Sequence, residues 1–268
     1  YESIKYLDLG DFIEATGHLS LTKRGEKSLA PSTLRILTKT LRPLPDAHDG
    51  LKDNETRFRK RYLDIAVNQE IKERFIRKAK FWQAHRDFLN SKGFVEFNMP
   101  VLEHTTGGAE ANPFTTHMDA LDEDFYLRIS QEFPLKKMLG AGYEKVYEIG
   151  VRFRNEGVSD EHLPEHNAIE YYMGYADWQD GIKLTIDLFK YVAEETWGTT
   201  KFKIRGFDID LSKDWEVLDY TKLIKDNFNI DVFNVTAEEL KSVLINNKIK
   251  LPEQFSINRG LDYLWKSL

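Results

Sequence analysis

Strict alternation opens the chain. Ile13, Ala15, Gly17, Leu19 and Leu21 fall on every second position between polar or small residues, the period of a half-buried strand. The turn KRGE, with Gly25 in it, leads to a second run from Leu29 to Leu37, so paired β-strands are expected. Pro43, Pro45 and Gly50 then crowd LRPLPDAHDG, the best linker candidate. Over 70–92 the period changes: Ile71, Phe75, Ala79, Trp82 and Leu89 recur at helical spacing, with Lys and Arg opposite and Gly93 as the stop. VEFNMPVL reads as a strand with Pro100 inside it, hence at an edge or interface. FYLRI (125–129) is another strand. Ser130 can cap the helix QEFPLKKMLGAG, whose Pro134 falls in the tolerated first turn.

Residues 145–156 alternate again, with Val151 and Phe153 on one side and Arg152, Arg154 and Glu156 on the other. The return run places Ile169, Tyr171 and Met173 on one face and His166, Ala168, Glu170 and Tyr172 on the opposite one. Antiparallel pairing of these runs gives one face packed on a core and one polar face. A helix from Asp177 to Gly198 follows, with Ile182, Ile186, Phe189 and Ala193 on one side. Beyond it come a short β segment (202–211) and helices, one with a capping box at Thr236 and Glu239.

Composition adds bounds. The 268 residues suffice for one large domain or a large one with a small one. Hydrophobic residues at 41% and charged ones at 31% describe an ordinary globular chain. Cysteine is absent, which removes disulfides and thiolate zinc sites and fits a reducing, cytoplasmic setting. No apolar run approaches the roughly 18 residues of a membrane span, and no signal peptide opens the chain. A start at Tyr1 reads as a piece of a longer protein. The net charge of −6 means that any nucleic-acid contact needs a local basic patch. Residues 51–80 offer one, with ten Lys or Arg against five Asp or Glu. A solvated helix face explains it as well.

The chemistry concentrates in FRNEGVSDEHLPEHNAIEYY (153–172). Charges on a half-buried sheet need partners, and an internal ion-pair network is the bland account. A ligand is the other. Arg154 presents a fixed fork suited to phosphate or carboxylate. Glu156 accepts from an amino group, His162 sits in the connecting loop, and Glu170 with Tyr172 forms an acidic, hydroxyl-tipped wall for an ammonium. His162 and His166 are four apart, but Pro164 between them argues against a helical zinc pair. GAGYEK (140–145) lacks the third Gly of a dinucleotide loop and reads as a helix end. DEDF (122–125) reads as a solvated turn.

These residues resemble the class II lysyl-tRNA synthetases over essentially the whole length. RFRNEG (152–157) is similar to motif 2 of that class, and the long helix followed by FNMPVL to motif 1. TLRPLPDAHDGLKDNETRFRKRYLDI, GGAEANPF (107–114), ALDEDFYLRISQE (120–132) and EYYMGYAD (170–177) resemble the lysine-specific members rather than the aspartate or asparagine ones. The resemblance implies an α+β architecture: a class II antiparallel sheet flanked by helices, preceded by the end of an OB-fold anticodon-binding barrel. Residues 1–45 would be that barrel segment, 46–66 a linker, and 67–268 the first part of the catalytic domain, with a helical stretch at about 212–268.

It implies further that lysine is activated with ATP, releasing pyrophosphate, and passed to tRNA(Lys), in a homodimer joined through the motif 1 region. Arg154 would bridge the lysine carboxylate and the α-phosphate. Glu156 would accept from the adenine amino group, and His162 would reach the outer phosphates. Gly108 and Glu132 would hold the α-amino group, and Glu170 and Tyr172 would line the side-chain pocket. Motif 3, its phosphate-binding Arg and the usual Mg2+ ligands would follow Leu268, so residues 1–268 alone are expected not to charge tRNA. Two positions depart from the family: His166 stands where Phe usually stacks on adenine, and Asn112 where Arg is common. A lysine-transferring paralogue that modifies a protein and a non-catalytic regulatory relative are the rivals. The barrel-like stretch before Pro45 distinguishes the first, and a Gly-rich strand ending in Arg after Leu268 would distinguish the second.

Overall fold

The computed structural model describes residues 2–42, 44, 51–159, 162–252 and 254–268. The chain divides into two compact units, Tyr1–Phe202 and Lys203–Leu268.

In the first unit a 3-10 turn (Glu2–Tyr6) precedes an antiparallel hairpin of β1 (Phe12–Leu21) and β2 (Lys27–Thr38). Gly25 turns it with a positive φ of 81°. At Gly17 the register shifts, and a Cβ there would lie 2.0 Å from the Ala30 carbonyl oxygen, so only glycine fits. Much of the hairpin's apolar surface stays exposed, Phe12, Leu19 and Leu21 included. The expected break at Pro43, Pro45 and Gly50 lies outside the described residues. The later part of the expected linker is helical: α1 (Asn54–Arg59) and α2 (Arg61–Val67). The basic patch is partly spent inside the chain. Arg57 and Arg61 both hold the buried Asp64, Arg59 pairs with Glu55, and Arg74 with Glu70.

Helix α3 (Gln69–Ser91) starts at Asn68, whose side chain accepts from the Glu70 and Ile71 amides. Its buried face is not the whole expected stripe. Ala84, His85, Phe88 and Leu89 are covered, whereas Phe75 is 43% and Ile76 61% exposed. VEFNMPVL is two strands rather than one: β3 (Val95–Glu96) and β4 (Leu102–Glu103), separated around Pro100, which has no amide to donate. Strands β5 (Thr115–Met118) and β6 (Glu123–Leu127) are joined by a turn over 119–122, giving the sheet order β4-β6-β5. DEDF is therefore not the solvated turn expected, since only Asp122 lies in the turn while Glu123–Phe125 begin β6 and Phe125 is buried. Helix α4 (Glu132–Gly140) begins one residue later than a Ser130 cap would place it, with Gln131 at the cap position.

Strands β7 (Lys145–Phe153) and β8 (Glu165–Met173) pair antiparallel along their full length, and β3 joins β7 in parallel. The face alternation holds. Tyr147, Ile149, Ile169, Tyr171 and Met173 face a core shared with Phe88, Leu89 and helix α5 (Trp178–Trp197). Helix α5 starts in a full Asp177–Asp180 capping box and ends on Gly198 at φ 68°. Its buried stripe runs through Leu188, Val192, Ala193 and Thr196, not through Phe189, which is exposed.

The two three-stranded sheets are joined by Arg128, just past β6, which is 2% exposed. Its Nη1 meets Glu148 Oε1 at 2.8 Å and the Met99 carbonyl at 3.2 Å, and its Nε donates to the Val151 carbonyl at 2.8 Å. A Cβ at Gly150 would sit 2.3 Å from Nη2, so the glycine makes room for the guanidinium. Removing either partner of such a buried pair costs about 3–5 kcal/mol.

The β segment expected at 202–211 comprises β9 (Lys201–Ile204) and β10 (Phe207–Asp210). In the second unit, α6 (Tyr220–Phe228), α7 (Ala237–Asn246) and α8 (Ile257–Lys266) enclose Ile224, Leu240, Leu244, Leu261 and Leu264. Their N-caps are Asp219, Thr236 and Ser256.

Tyr147 gives the first unit a pH dependence. The residue is fully buried, and its hydroxyl lies 3.0 Å from Asn90 Oδ1 and 3.2 Å from Glu96 Oε2. Burial, then the Glu96 charge, pushes the phenol up to about 12. The folded state thus favours the neutral phenol. This contribution is complete below the ordinary tyrosine value near 10 and disappears as pH rises through about 12. The difference in denaturant midpoint between the natural chain and Tyr147→Phe should therefore shrink from pH 10 to 12, followed by circular dichroism. A constant difference would contradict it.

Candidate active site

The polar face of β7 and β8 carries the site because register sets it. Arg152 lies opposite His166, and Glu148 opposite Glu170. Glu170 is the hub. Its carboxylate accepts from Ser130 Oγ (2.9 and 3.1 Å), from Arg152 Nη1 (3.0 Å) and from the Tyr172 hydroxyl (3.2 Å). The Tyr172 hydroxyl is also 3.4 Å from Glu132 Oε2. One phenolic hydrogen therefore stands between two carboxylates. Burial, then the charges of Glu170 and Glu132, pushes the Tyr172 phenol well above its ordinary range, so it remains a donor.

Glu132 opens α4 and pairs with Lys136 one turn on, at 2.7 Å. That hydrogen bond is the main reason its carboxyl lies below the usual range. Ser130 Oγ accepts from the Glu132 amide at 3.1 Å, so this serine does satisfy a helix-start donor from outside the helix. Gln131 ties the same helix start to β7 by donating to the Gly150 carbonyl at 3.1 Å. Gly108, at φ 83°, brings its loop against the pair: a Cβ there would lie 2.7 Å from Glu132 Cβ and 2.8 Å from Ser130 Oγ.

Strand β7 stops at Phe153, so Arg154 and Glu156 stand beyond it rather than continuing its alternation to 156. The Arg154 amide still donates to the Pro164 carbonyl at 2.9 Å, and the Asn155 amide to the Asn112 carbonyl at 2.7 Å. The Arg154 Nε is buried yet has no hydrogen-bond partner among the described residues. A buried donor of that kind costs about 1–3 kcal/mol while unpaired, and more when it is charged. Nearby, Arg152 is pushed down first by burial and then by the Arg154 charge, while Glu170 holds it up. Glu170, paired with Arg152, thus stands between the two guanidiniums on one side and Tyr172 with Glu132 on the other.

Glu132, Glu170, Tyr172 and His166 are thus joined in one hydrogen-bonded network, and Gly108 abuts it. Glu156 and His162 are exposed in the connecting loop and are not brought into that network. His162 Nδ1 is 2.8 Å from Ser159 Oγ. Sequence reasoning gave Ser130 only a capping role and gave Arg152 and Lys136 none. The signal for Arg152 was its alternation with Arg154, and for Ser130 its place two residues before Glu132. Among the described residues no group of three or more His, Asp or Glu could hold a metal ion, and no helix is long and apolar enough to cross a membrane.

The polar sheet face thus has the Glu132–Tyr172–Glu170 cluster at one end and, just past the end of β7, an Arg154 Nε without a partner among the described residues. Residues 53–253 match the model of the class II tRNA synthetases for D, K and N, and the chain belongs to that family. Within it, the chain is 46% identical over 262 residues to the lysine–tRNA ligase of Pelotomaculum thermopropionicum, covering 98% of this chain and 50% of that protein. It is 40% identical over 252 residues to that of Thermosipho africanus (94% and 50%). With that of Clostridium botulinum strain Loch Maree it shares 41% over 238 residues (89% and 47%). The chain spans about half the length of these curated relatives.

Gly108→Ala should destabilise the chain by about 1–3 kcal/mol, since a Cβ is both strained at positive φ and blocked by Glu132 and Ser130. Urea denaturation measures this. An unchanged midpoint would mean that the 107–108 loop yields without cost.

Proposed function

We propose that the chain supplies the amino-acid side and part of the nucleotide side of a lysine–tRNA ligase centre. The unpartnered, buried Arg154 Nε beside the Glu132–Tyr172–Glu170 wall carries this reading. That N–H is a charged donor, and an anionic oxygen is the acceptor that suits it best. Lysine with ATP brings a carboxylate, an α-phosphate and two amines, which complement the two ends of the sheet.

In the reaction, a lysine carboxylate oxygen attacks the α-phosphorus. The new C–O–P linkage forms as the bond to the β-phosphate breaks, and pyrophosphate leaves. Arg154 would touch both carboxylate and α-phosphate, holding them in line and countering the charge that builds on the phosphoryl oxygens. Glu132, beside Gly108, would take the α-ammonium in place of Lys136. Glu170 and Tyr172 would receive the ε-ammonium. Glu156 would accept from the adenine amino group, His162 would reach the outer phosphates, and the faces of His166 would lie against adenine. A terminal ribose hydroxyl of tRNA(Lys) would then attack the lysyl carbonyl, releasing AMP.

The described residues include no cluster of three or more His, Asp or Glu that would hold Mg2+. The hairpin β1–β2 suits the end of an OB-fold barrel, because two strands with exposed apolar residues need further sheet to cover them. A homodimer through the α3 region is supported by Phe75 and Ile76, together with exposed Phe58 and Tyr62. The cysteine-free composition suits the cytoplasm, where tRNA charging takes place.

Lysine-dependent pyrophosphate exchange by the full-length protein tests the reading. Arg154→Ala should slow it roughly 10²–10³-fold, and Lys should rescue poorly because it cannot bond in a planar fork. Near-normal exchange by the Ala variant would remove Arg154 from the chemistry. In the same assay, Glu132→Gln should weaken every amino acid, while Tyr172→Phe should mainly relax selection along the side chain. Identical profiles across a series from ornithine to lysine would refute that division.

A further inference from the structure

The imidazole of His166 is held by both nitrogens. Arg152 Nε donates to His166 Nε2 at 3.0 Å, which requires that Nε2 carry no proton. The other nitrogen, Nδ1, lies 3.2 Å from the Leu163 carbonyl oxygen, which can only accept, so Nδ1 carries the hydrogen. The two contacts together define one neutral tautomer.

Each partner leads somewhere different. Arg152 reaches past His166 to Glu170, gripping Oε1 with Nη1 at 3.0 Å, and Glu170 in turn holds Ser130 and Tyr172. Leu163 belongs to the loop between β7 and β8, whose next residue, Pro164, receives the Arg154 amide. His166 therefore bridges the loop that bears Arg154, Glu156 and His162 to the carboxylate wall. Both bonds are made by ring nitrogens, so neither uses a face of the ring.

We propose that His166 is a positioning residue: its Nδ1–H tautomer fixes the Arg152 guanidinium, thereby aims Glu170, and couples the nucleotide-side loop to the amino-acid pocket. This rests on the ligase reading above. Arg152 is part-buried, and loss of its Nε acceptor leaves that guanidinium anchored only through Nη1, free to turn and to drag Glu170 with it. A phenyl ring offers the faces but neither bond. A glutamine amide offers an acceptor and a donor but no aromatic face. The two substitutions thus separate the edge of the ring from its faces.

The test compares the full-length natural protein with His166→Phe and His166→Gln by pyrophosphate exchange, reading lysine KM and ATP KM separately. His166→Phe should raise the lysine KM by about five- to twenty-fold, consistent with losing a hydrogen bond to a charged group. His166→Gln should keep the lysine KM within about threefold while raising that for ATP, since base stacking is lost. An unchanged lysine KM in the Phe variant would overturn the proposal, leaving stacking as the sole role. Equal lysine defects in both variants would overturn it as well, since a general packing fault would do that. A second measurement stands apart from activity. The ¹⁵N chemical shifts of His166, assigned by difference from His166→Gln, should show the Nδ1–H form, and an Nε2–H signature refutes the bridge. A natural protein without lysine-dependent exchange would sink the ligase reading, while the tautomer would still decide the bridge.

Discussion

Everything around the site hangs on one buried cation. Arg128 has left water almost completely, and its charge is answered by Glu148 while two backbone carbonyls accept from its Nε and Nη1. Those acceptors come from the 97–101 segment and from β7, whereas Arg128 itself continues β6. One side chain thus fixes the angle between two sheets that share no strand. The Arg128 backbone closes the same seam, with its amide on the Val101 carbonyl and its carbonyl on the Phe153 amide. Ser130 and Glu132 follow Arg128 within four residues, and Arg154 follows Phe153 directly. The clamp therefore sets the separation between the carboxylate wall and Arg154, whose Nε has no partner among the described residues.

The charges on that surface are arranged by local rules and not by a deep pocket. Register brings Arg152 against His166 and places Glu170 four residues further along β8, on the same face and opposite Glu148. The start of α4 turns Glu132 back toward the same spot, and Lys136 one turn later pairs with it. Tyr172 can satisfy only one of two carboxylates at a time.

Much of this was legible beforehand. Alternation at 145–153 and 165–173 gave the hairpin and its faces, because a strand buried on one side leaves a period of two in the sequence. The family followed from RFRNEG taken with GGAEANPF and EYYMGYAD, where single residues would not have sufficed. The clamp was not legible. Arg128 sits inside FYLRI as one polar residue among apolar ones, and its partners lie 20 to 29 residues away. Helix faces were read only in part. Phe75 and Phe189 keep helical spacing with core residues, but spacing cannot tell which apolar side chains this chain covers. Pro100 was expected inside one edge or interface strand, but it lies in no strand: it falls between β3 and β4, which join different sheets. The role of Ser130 was hidden because capping and carboxylate binding ask for the same hydroxyl.

The parallel pairing of β3 with β7 bears on how the sheet is assembled. Strands β7 and β8 are joined by residues 154–164, whereas β3 meets β7 only after residues 97–144 have been looped out. Closing the longer loop costs about 1 kcal/mol more in chain entropy, and it gains two residue pairs where the hairpin gains nine. Order therefore propagates outward from the hairpin, and β3 docks last, once β4, β6 and α4 have shortened the effective path between its ends. The face that holds the carboxylates takes shape early, and the strand that follows α3 is the rim most easily released.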